Sequence, residues 1–471
     1  MSRIVVVGAG VGGLACALRL ARAGHAVTVL EQGSAAGGKC ARVVRDGYRF
    51  DAGPSLLTMP WLVRELLGDR VELMAVEPVT RYRFADGSSV ELSAELPRAC
   101  QALEQWSPGA GEDWARFLRI CGAMWRASVP VLTGPPPWPP RLAGGQPPDP
   151  RDLLRVRPWH TLRTLARATI GDPRLRLVVE RFATYAGADP RRAPAALAVA
   201  GYVEHAFGAW HVRGGVYALV EALVAALRDG GGELRCGVRA QAVTLAGGGS
   251  TSLWGGGGVR GRVTGVRTDA GTLPADAVVF NGDAPSRRQR SLSGFALLLG
   301  VRGREPGRVH HEIRFPHDYD AEFDDLFVAR RPVRDPALYL AASWVSDAGE
   351  APSDGENLFV LANAPSGGVD WAAEGERYES ALIERLGLAR ERLAFVMRRT
   401  PADLERETGA LGGAIYGVAP HGRLGTLRRP PNAVRGVRGL WRVGGTTHPG
   451  GGLPLVLLSG RTVASEIGSP A

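Results

Sequence analysis

A glycine-rich turn between two short apolar runs, close to the first residue of the chain, constrains the fold more than any other feature. Residues 3–7 form the first run and residues 26–30 the second, with apolar residues at helical spacing between them. Glu31 closes the second run, 23 residues after the first glycine of the turn (31 − 8 = 23). The glycines stand in G-x-G-x-x-G order at Gly8, Gly10 and Gly13. This pattern predicts a strand–helix–strand unit that binds a dinucleotide, and therefore an α/β fold.

Each residue type in this unit has a physical reason. Gly8 permits the tight turn, Gly10 lets a diphosphate approach the backbone, and Gly13 lets the helix pack closely on the strand. The helix N-terminus presents free N–H groups and the positive end of the helix dipole to that diphosphate. The Glu31 carboxylate accepts hydrogen bonds from a ribose diol and repels a 2′-phosphate, so the unit favours an adenosine without that phosphate.

Two more glycine motifs occur, one beside a lysine and one before a predicted helix. Gly37 and Gly38 follow directly after the acidic residue and stand beside Lys39. Such a glycine pair most often forms a plain loop. Its position directly after the acidic residue nevertheless favours a second backbone segment that contacts the ligand. Near the other end of the chain, residues 439–454 read GLWRVGGTTHPGGGLP and lead into an apolar helical run. A helix that begins there can stabilise negative charge through its dipole.

The middle of the chain supplies further elements of the same α/β layer. A double-glycine turn at 214–215 leads into a helix that ends at the glycines 230–232, and residues 234–243 are predicted to form one strand. The glycine-rich stretch 247–258 is interpreted as a flexible hairpin tip without chemistry. Residues 275–283 predict a buried parallel strand, whose polar carboxyl end lies where ligands collect in open α/β sheets.

The stretch from 115 to 188 differs in composition from the rest. It carries Trp125, Trp138 and Trp159, a proline-rich run over 135–140, and arginines interleaved with leucines. This mixture is typical of a helical segment at a membrane interface, and equally of an ordinary helix with a solvated arginine face. The chain contains no uninterrupted apolar run of about 20 residues, so any membrane contact is expected to be peripheral.

Several function classes lack support. The formal net charge is +10, and almost all of the positively charged residues are arginines. These arginines are spread along the chain and no nucleic-acid-binding motif accompanies them, so no nucleic-acid partner is predicted. Five widely spaced cysteines without a CxxC pair, and no signal peptide, favour a reducing cytoplasm. His310 and His311 are expected to point to opposite faces of a strand, so no metal site is predicted. Neither G-x-S-x-G nor HExxH occurs, which disfavours hydrolases.

Taken with three further segments, the motifs at the two ends resemble a known family. The segments are FDAGPS at 50–55, SGFALLLGV at 293–301 and HHEIRF at 310–315. The chain resembles, over essentially its whole length, the FAD-dependent carotenoid desaturases of the bacterial phytoene desaturase type, a branch of the flavin amine oxidase superfamily. AIYGVAPHG at 414–422 is most similar to the hydroxyneurosporene desaturases. Thr447 and the glycine insert near Gly255 depart from the family pattern and leave substrate choice open.

The resemblance implies a fold with two parts. One is a discontinuous Rossmann-like FAD-binding domain of the glutathione reductase or amine oxidase type, and the other is an inserted α+β substrate domain with a helical, membrane-facing region. The implied ranges are 1–75, 213–290 and 420–471 for the FAD-binding domain, 76–212 and 291–419 for the substrate domain, and 115–188 for the membrane-facing region.

The resemblance also assigns roles to residues. Carried over to this chain, the cofactor-binding positions are Gly8, Gly10 and Gly13 for the FAD diphosphate, Glu31 for the adenosine ribose, Gly38 and Lys39 for the loop beside the diphosphate, the Ala240 backbone for adenine, and Gly444, Gly445, Leu453 and Pro454 for the ribityl chain and isoalloxazine. His448, His421 and Tyr416 lie in or near the flavin-facing motifs and are candidate proton acceptors. For each of the three, a purely structural hydrogen-bonding role stays open.

The implied reaction is the introduction of double bonds into an acyclic carotenoid, by loss of a proton and transfer of a hydride to flavin. The implied partners are a long apolar carotenoid, a membrane surface, and oxygen or a quinone as electron acceptor, for a cytoplasmic protein peripherally bound to the membrane. Three alternatives stay open. They are a redox-neutral flavin-dependent carotene isomerase, an oxidase of the amine oxidase type, and a lipid-binding flavoprotein without catalysis.

Overall fold

The computed structural model describes residues 1–135, 150–255, 258–283, 285–286 and 288–469. The helices are α1 (Val11–Arg22), α2 (Trp61–Leu67), α3 (Leu96–Trp106), α4 (Ala110–Thr133), α5 (Pro150–Arg155), α6 (Leu162–Thr169), α7 (Pro173–Arg181), α8 (Val199–Phe207), α9 (Tyr217–Asp229), α10 (Tyr319–Asp324), α11 (Trp371–Leu386), α12 (Pro401–Thr408) and α13 (Leu453–Ile467). The strands are β1 (Arg3–Val7), β2 (Ala26–Glu31), β3 (Arg42–Arg45), β4 (Tyr48–Asp51), β5 (Leu73–Val76), β6 (Thr80–Arg83), β7 (Ser89–Leu92), β8 (Ala209–Val212), β9 (Glu233–Cys236), β10 (Ala240–Leu245), β11 (Ser250–Thr251), β12 (Gly261–Thr268), β13 (Gly271–Pro274), β14 (Ala277–Phe280), β15 (Ser293–Arg302), β16 (His311–Arg314), β17 (Leu338–Ala341), β18 (Gly355–Ala364), β19 (Leu393–Arg399), β20 (Val437–Arg438) and β21 (Leu440–Arg442).

A five-stranded parallel sheet in the order β21-β14-β1-β2-β9 forms the first layer. Ile4 and Val6 of β1 face the helices α1, α9 and α13, whereas Val5 and Val7 face a second sheet. Both faces of β1 are therefore covered, which explains its unbroken apolar sequence. The predicted strand–helix–strand unit is confirmed as β1-α1-β2, and residues 277–280 form the predicted parallel strand.

The second sheet, in the order β11-β10-β12-β13, corrects one prediction. Residues 234–243 were expected to be one strand, but β9 belongs to the parallel sheet and β10 to the antiparallel one. The chain breaks at Gly237, which has φ +73 and donates a 2.9 Å hydrogen bond to the Gly33 carbonyl. Apolar spacing does not reveal which sheet a residue joins, so it could not show this break. The hairpin predicted over 247–258 connects β10 to β12 and adds the short strand β11.

A seven-stranded mixed sheet in the order β19-β15-β18-β17-β16-β6-β7 forms the other part of the fold. Trp371 and Tyr378 of α11 pack on one of its faces, against Phe295 and neighbouring leucines. Helices α3, α4, α6 and α7 share a separate core with Tyr82 of β6. The architecture confirms the α/β class, with a Rossmann-like layer and an α+β layer built from sequence inserted between its strands.

The stretch 115–188 contains most of α4 and helices α5 to α7. Trp125 packs edge-on against Phe207, whereas Trp159 is 49% exposed. Trp138, on which the membrane-facing prediction also rests, lies outside the described residues. That this region faces a membrane stays a prediction. None of the described helices has both the length and the apolar character that a bilayer-spanning helix needs.

The expected orientation of His310 and His311 is wrong. Their ring centroids lie 4.3 Å apart, and both side chains are buried. The reason is that β16 begins at His311, so His310 precedes the strand and the alternation of a pleated strand does not apply to the pair. His310 Nδ1 lies 2.7 Å from the Ser346 hydroxyl, and His311 Nδ1 lies 2.8 Å from the Tyr339 hydroxyl.

Candidate functional site

A cavity of about 1460 Å³ extends from the carboxyl ends of the parallel strands to the seven-stranded sheet. Most of the residues singled out in the sequence line it. They are Gly8, Gly10, Glu31, Gly38, Lys39, Ala240, Tyr416, Gly444, Gly445, His448, Leu453 and Pro454. The fold thus brings the two glycine motifs, which lie more than four hundred residues apart in sequence, to one end of a single cavity.

The first glycine turn lies against β14. Gly8 has φ +98, and a Cβ there would come within 2.4 Å of the Asn281 carbonyl oxygen. A Cβ at Gly10 would come within 2.8 Å of Asn281 Nδ2. Gly13 does not line the cavity, and a Cβ there would lie 2.3 Å from the Gly8 carbonyl oxygen. Close packing of the helix on the strand is the role that the sequence predicts for Gly13.

Glu31, at the end of β2, holds this turn in place. Its Oε2 accepts a 2.8 Å hydrogen bond from the Ala9 N–H, and its Oε1 accepts one of 2.8 Å from the Gly33 N–H. The carboxylate therefore has a fixed orientation at the cavity wall. Ala240 lines the wall nearby, at the start of β10.

Asn281 is a residue whose role the sequence did not give, although it lies in the polar end predicted for 275–283. Its Nδ2 donates a 3.2 Å hydrogen bond to the Gly8 carbonyl. On the other side, a Cβ at Gly444 would lie 2.5 Å from Asn281 Oδ1. One amide thus packs between the N-terminal and the C-terminal glycine motifs, and a side chain at Gly10 or Gly444 would displace it.

Lys39 is held by protein groups. Its ammonium lies 3.0 Å from the Asp283 carboxylate and donates hydrogen bonds of 3.1 and 2.9 Å to the carbonyls of Ala414 and Ile415. The three donors of the ammonium therefore have three acceptors. This arrangement ties the glycine loop before Lys39 to the segment that carries Tyr416.

The C-terminal turn presents positive charge to the cavity. Helix α13 begins at Leu453 with Pro454 in its first turn and without an acidic residue there, so its free N–H groups and dipole face residues of the cavity wall. Arg429 donates hydrogen bonds to the carbonyls of Gly445 (2.9 Å) and Tyr416 (3.3 Å). Within the described part of the chain no carboxylate pairs with Arg429, and burial lowers its pKa to about 10. An uncompensated cation of this kind fits an anionic ligand.

The three candidate proton acceptors differ in position. His448 and Tyr416 line the cavity, whereas His421 does not. His448 Nε2 lies 3.1 Å from the Gly134 carbonyl, and desolvation by burial lowers its pKa. The ring is therefore neutral at pH 7, and the carbonyl assigns the proton to Nε2, which leaves Nδ1 as the acceptor. Burial raises the pKa of Tyr416 to about 12, so this hydroxyl stays protonated.

Both ring nitrogens of His421 are engaged. Nε2 accepts a 2.9 Å hydrogen bond from the Asp189 N–H, which assigns the proton to Nδ1, 3.2 Å from the Gln289 side-chain oxygen. This arrangement matches the structural hydrogen-bonding role that the sequence left open for His421.

Beyond the glycine motifs the cavity wall is largely apolar. Its side chains there include Phe182, Leu197, Val203, Ile313, Leu338 and Leu361. One group of polar side chains in this wall is linked by hydrogen bonds. Arg181 donates a 2.8 Å hydrogen bond to the Tyr185 hydroxyl, which donates one of 2.7 Å to Glu204 Oε2. The other oxygen of Glu204 has no hydrogen-bond partner among the described residues.

Val156 and Pro158, which follow α5, and Leu424 also line the cavity. Leu424 is 46% exposed, and Trp159, the residue after Pro158, is 49% exposed.

Comparisons with known proteins agree with this geometry. Residues 6–67 match the family model of an NAD(P)-binding Rossmann-like domain. The chain is 33% identical to the zeta-carotene-forming phytoene desaturase of Myxococcus xanthus, covering 99% of this chain and 93% of that protein. It is 33% identical to the hydroxyneurosporene desaturase of Cereibacter sphaeroides, covering 99% and 97%.

Solved structures support the fold alone. An oxidoreductase from Methanosarcina mazei superposes with a TM-score of 0.61 at 16% identity, covering 98% of this chain and 100% of the other. Cyclohexylamine oxidase from Brevibacterium oxydans superposes with a TM-score of 0.61 at 17% identity, covering 99% and 98%. The sequence identity to the two desaturases extends over nearly the whole of each protein, and the chain belongs to the carotenoid desaturase family.

Proposed function

We propose that this protein is an FAD-dependent desaturase that introduces double bonds into an acyclic carotenoid. The observation that carries the proposal is the single cavity, which joins a glycine cradle to a long apolar space. A catalytic group for hydrolysis or group transfer is not needed for this reaction, whereas alignment of an apolar chain beside a redox cofactor is.

The cradle fits FAD. Gly8 and Gly10 line the cavity and carry no side chain, so a diphosphate can approach their backbone. We assign the diphosphate to Gly8 and Gly10, with Gly13 supporting the turn and Gly38 and Lys39 forming the loop beside the diphosphate. We assign the adenosine to Glu31 and Ala240, and the ribityl chain and isoalloxazine to Gly444, Gly445, Leu453 and Pro454. Arg429 supplies the positive charge that an anionic cofactor requires.

We further propose that the chain divides as the family resemblance implies. Residues 1–75, 213–290 and 420–471 form the FAD-binding domain, and residues 76–212 and 291–419 form the substrate domain. The pairing of β5 with β8 supports this division, because these strands end at Val76 and Val212. The chain thus enters and leaves the first inserted segment at adjacent points.

When bound, the flavin supplies a two-electron acceptor for the hydride that leaves the carbon chain. The residues of the protein perform the rest. Phe182, Ile313 and Leu361 hold the polyene and exclude water from it. His448 Nδ1 is the group best placed to accept the proton, because the ring lines the cavity and is neutral. Tyr416 remains protonated and serves as a wall of the site.

The substrate class that we propose is an acyclic carotenoid, because a long apolar chain matches the apolar part of the cavity wall.

Such a substrate dissolves in membranes. We propose that the cavity opens near Trp159 and Leu424, and that the protein binds the membrane surface peripherally through this apolar opening and takes up its substrate there. Oxygen or a membrane quinone then reoxidises the cofactor.

The test is expression in cells that accumulate phytoene, neurosporene or hydroxyneurosporene, with pigments analysed by absorption and mass. A red-shifted spectrum and a loss of two hydrogens per step establish desaturation. An unchanged mass with altered geometry would establish the isomerase alternative instead, and peroxide formed with amines, without pigment change, the oxidase alternative.

A matched pair of variants connects the activity to the cradle. Gly10→Val places a side chain 2.8 Å from Asn281 Nδ2, and we expect it to lose bound FAD and activity together. Gly249→Val lies in the β10–β12 hairpin, with its nearest neighbour atom 4.0 Å away, and should keep both. Protein that purifies without FAD yet still desaturates would refute the proposal.

A further inference from the structure

Three chemically reactive side chains converge outside the wall of the cavity. His211 lies in β8, Asp347 lies just before the 3₁₀ turn Ala348–Glu350, and Glu350 ends that turn. Their exposed fractions are 1%, 8% and 1%. One nitrogen of His211 and one oxygen of each carboxylate lie within 4.8 Å of one another. Two acidic groups and an imidazole thus share one buried space.

Part of this cluster is left without hydrogen-bond partners. Neither ring nitrogen of His211 has a partner among the described residues, and neither does Glu350 Oε1. Buried polar groups in folded proteins are nearly always paired, so these three atoms require an explanation. They belong to two of the three side chains that approach one another.

The remaining atoms of the cluster are oriented by the protein. Asp347 Oδ2 accepts a 2.9 Å hydrogen bond from the Gly214 N–H, and its Oδ1 accepts one of 3.2 Å from the Gly349 N–H. Glu350 Oε2 accepts a 3.3 Å bond from the Ser343 hydroxyl. Hydrogen bonds of this kind fix the orientation of side chains that bind metals.

Within the described residues, the cluster forms one ion pair. Arg213 lies 3.9 Å from Asp347 but is 52% exposed, and Glu350 forms no ion pair within the described ranges.

We propose that His211, Asp347 and Glu350 bind a divalent transition-metal cation, with Zn²⁺ as the best fit. One imidazole nitrogen and two carboxylate oxygens form a donor set that Zn²⁺ accepts in tetrahedral sites completed by water. Bonds of about 2.1 Å in that geometry need donor atoms about 3.4 Å apart, so the most distant pair closes by roughly 1.4 Å, shared between two side chains.

The position of the site gives the metal a structural role. His211 is followed by the Gly214-Gly215 turn into α9, which packs under the parallel sheet. Asp347 and Glu350 lie between β17 and β18 of the seven-stranded sheet. A cation held by both segments would join the two parts of the fold at a point outside the cavity.

The experiment measures Zn²⁺ on the purified full-length protein with its cofactor. After EDTA treatment and buffer exchange, calorimetric titration with Zn²⁺ and elemental analysis should give one tight equivalent per chain. Co²⁺ at the same site should give visible d–d bands of tetrahedral intensity. His211→Ala and Glu350→Gln should each weaken Zn²⁺ binding at least tenfold and abolish the Co²⁺ bands.

His317→Ala is the matched control, because His317 is an exposed histidine and its loss should leave the tight equivalent intact. Circular dichroism and FAD content identify any variant that fails to fold. Glu350→Gln keeps the size of the side chain and removes only its charge. The proposal is overturned if the wild type binds no tight Zn²⁺, or if binding persists unchanged in the His211 and Glu350 variants.

Discussion

The Lys39 ammonium lies 3.0 Å from Asp283 Oδ2 and also donates to the carbonyls of Ala414 and Ile415. Lys39 is the only lysine of the chain, and it joins the second glycine loop, the residues after β14 and the segment before Tyr416. Three stretches that are distant in sequence therefore meet at one cation on the cavity wall.

Lys39→Met should loosen this junction. We expect a loss of about 1–2 kcal/mol in the free energy of unfolding, because Asp283 loses its partner and two carbonyls lose a donor. Bound FAD should fall as well. Arg42→Met is the control, since it removes the more exposed ion pair with Glu221 and should cost less than about 1 kcal/mol. Chemical denaturation and flavin absorbance check both, and equal effects of the two variants would contradict the role of Lys39.

His421 should make stability depend on pH in a defined window. Burial, with a contribution from Arg192, lowers its pKa to about 4 in the folded protein, whereas the unfolded value is about 6.5. Unfolding therefore takes up a proton between these values. The stabilisation is fully present above about pH 6.5 and is lost as the pH falls through about 4.

His421→Gln removes that proton uptake. The slope of the unfolding free energy against pH between 4 and 6.5 should fall by about 1.4 kcal/mol per pH unit, which corresponds to the uptake of one proton. Urea denaturation at several pH values measures the slope, and the exposed His317→Gln should leave it unchanged. A slope that is the same in wild type and His421→Gln would show that the residue titrates normally.

Sequence and structure agree best where function depends on local backbone. Gly8, Gly10 and Gly13 predicted both the strand–helix–strand unit and one end of the cavity, because a tight turn beside a diphosphate leaves few residue types that fit. The split of 234–243 into two strands was missed, since apolar spacing does not say which sheet a strand joins. His310 and His311 approach each other because β16 begins at His311. The prediction had assumed that both residues lie in the strand and therefore alternate.

The polar group in the cavity wall could not be predicted at all. Arg181 ends α7, Tyr185 lies in a 3₁₀ turn and Glu204 lies in α8, and no short motif links them. Only packing of these helices brings the three side chains together. The same holds for Asn281, whose place at the end of β14 was predicted but whose contact with Gly444 depends on β21 pairing beside β14.

Trp159 gives the sharpest test of how the substrate enters. It is 49% exposed and follows Pro158, which lines the cavity, so it lies at the opening that we propose. A tryptophan at a membrane surface binds at the headgroup level. Trp159→Ser should therefore weaken pelleting with liposomes and raise KM for a carotenoid supplied in them, while FAD content stays intact. Trp138→Ser extends the test to a residue outside the described ones. Val44→Ser is the control, because Val44 is 58% exposed but lies in the β3–β4 hairpin. Unchanged pelleting of Trp159→Ser, or an equal loss in Val44→Ser, would mean that the apolar opening is not the membrane contact.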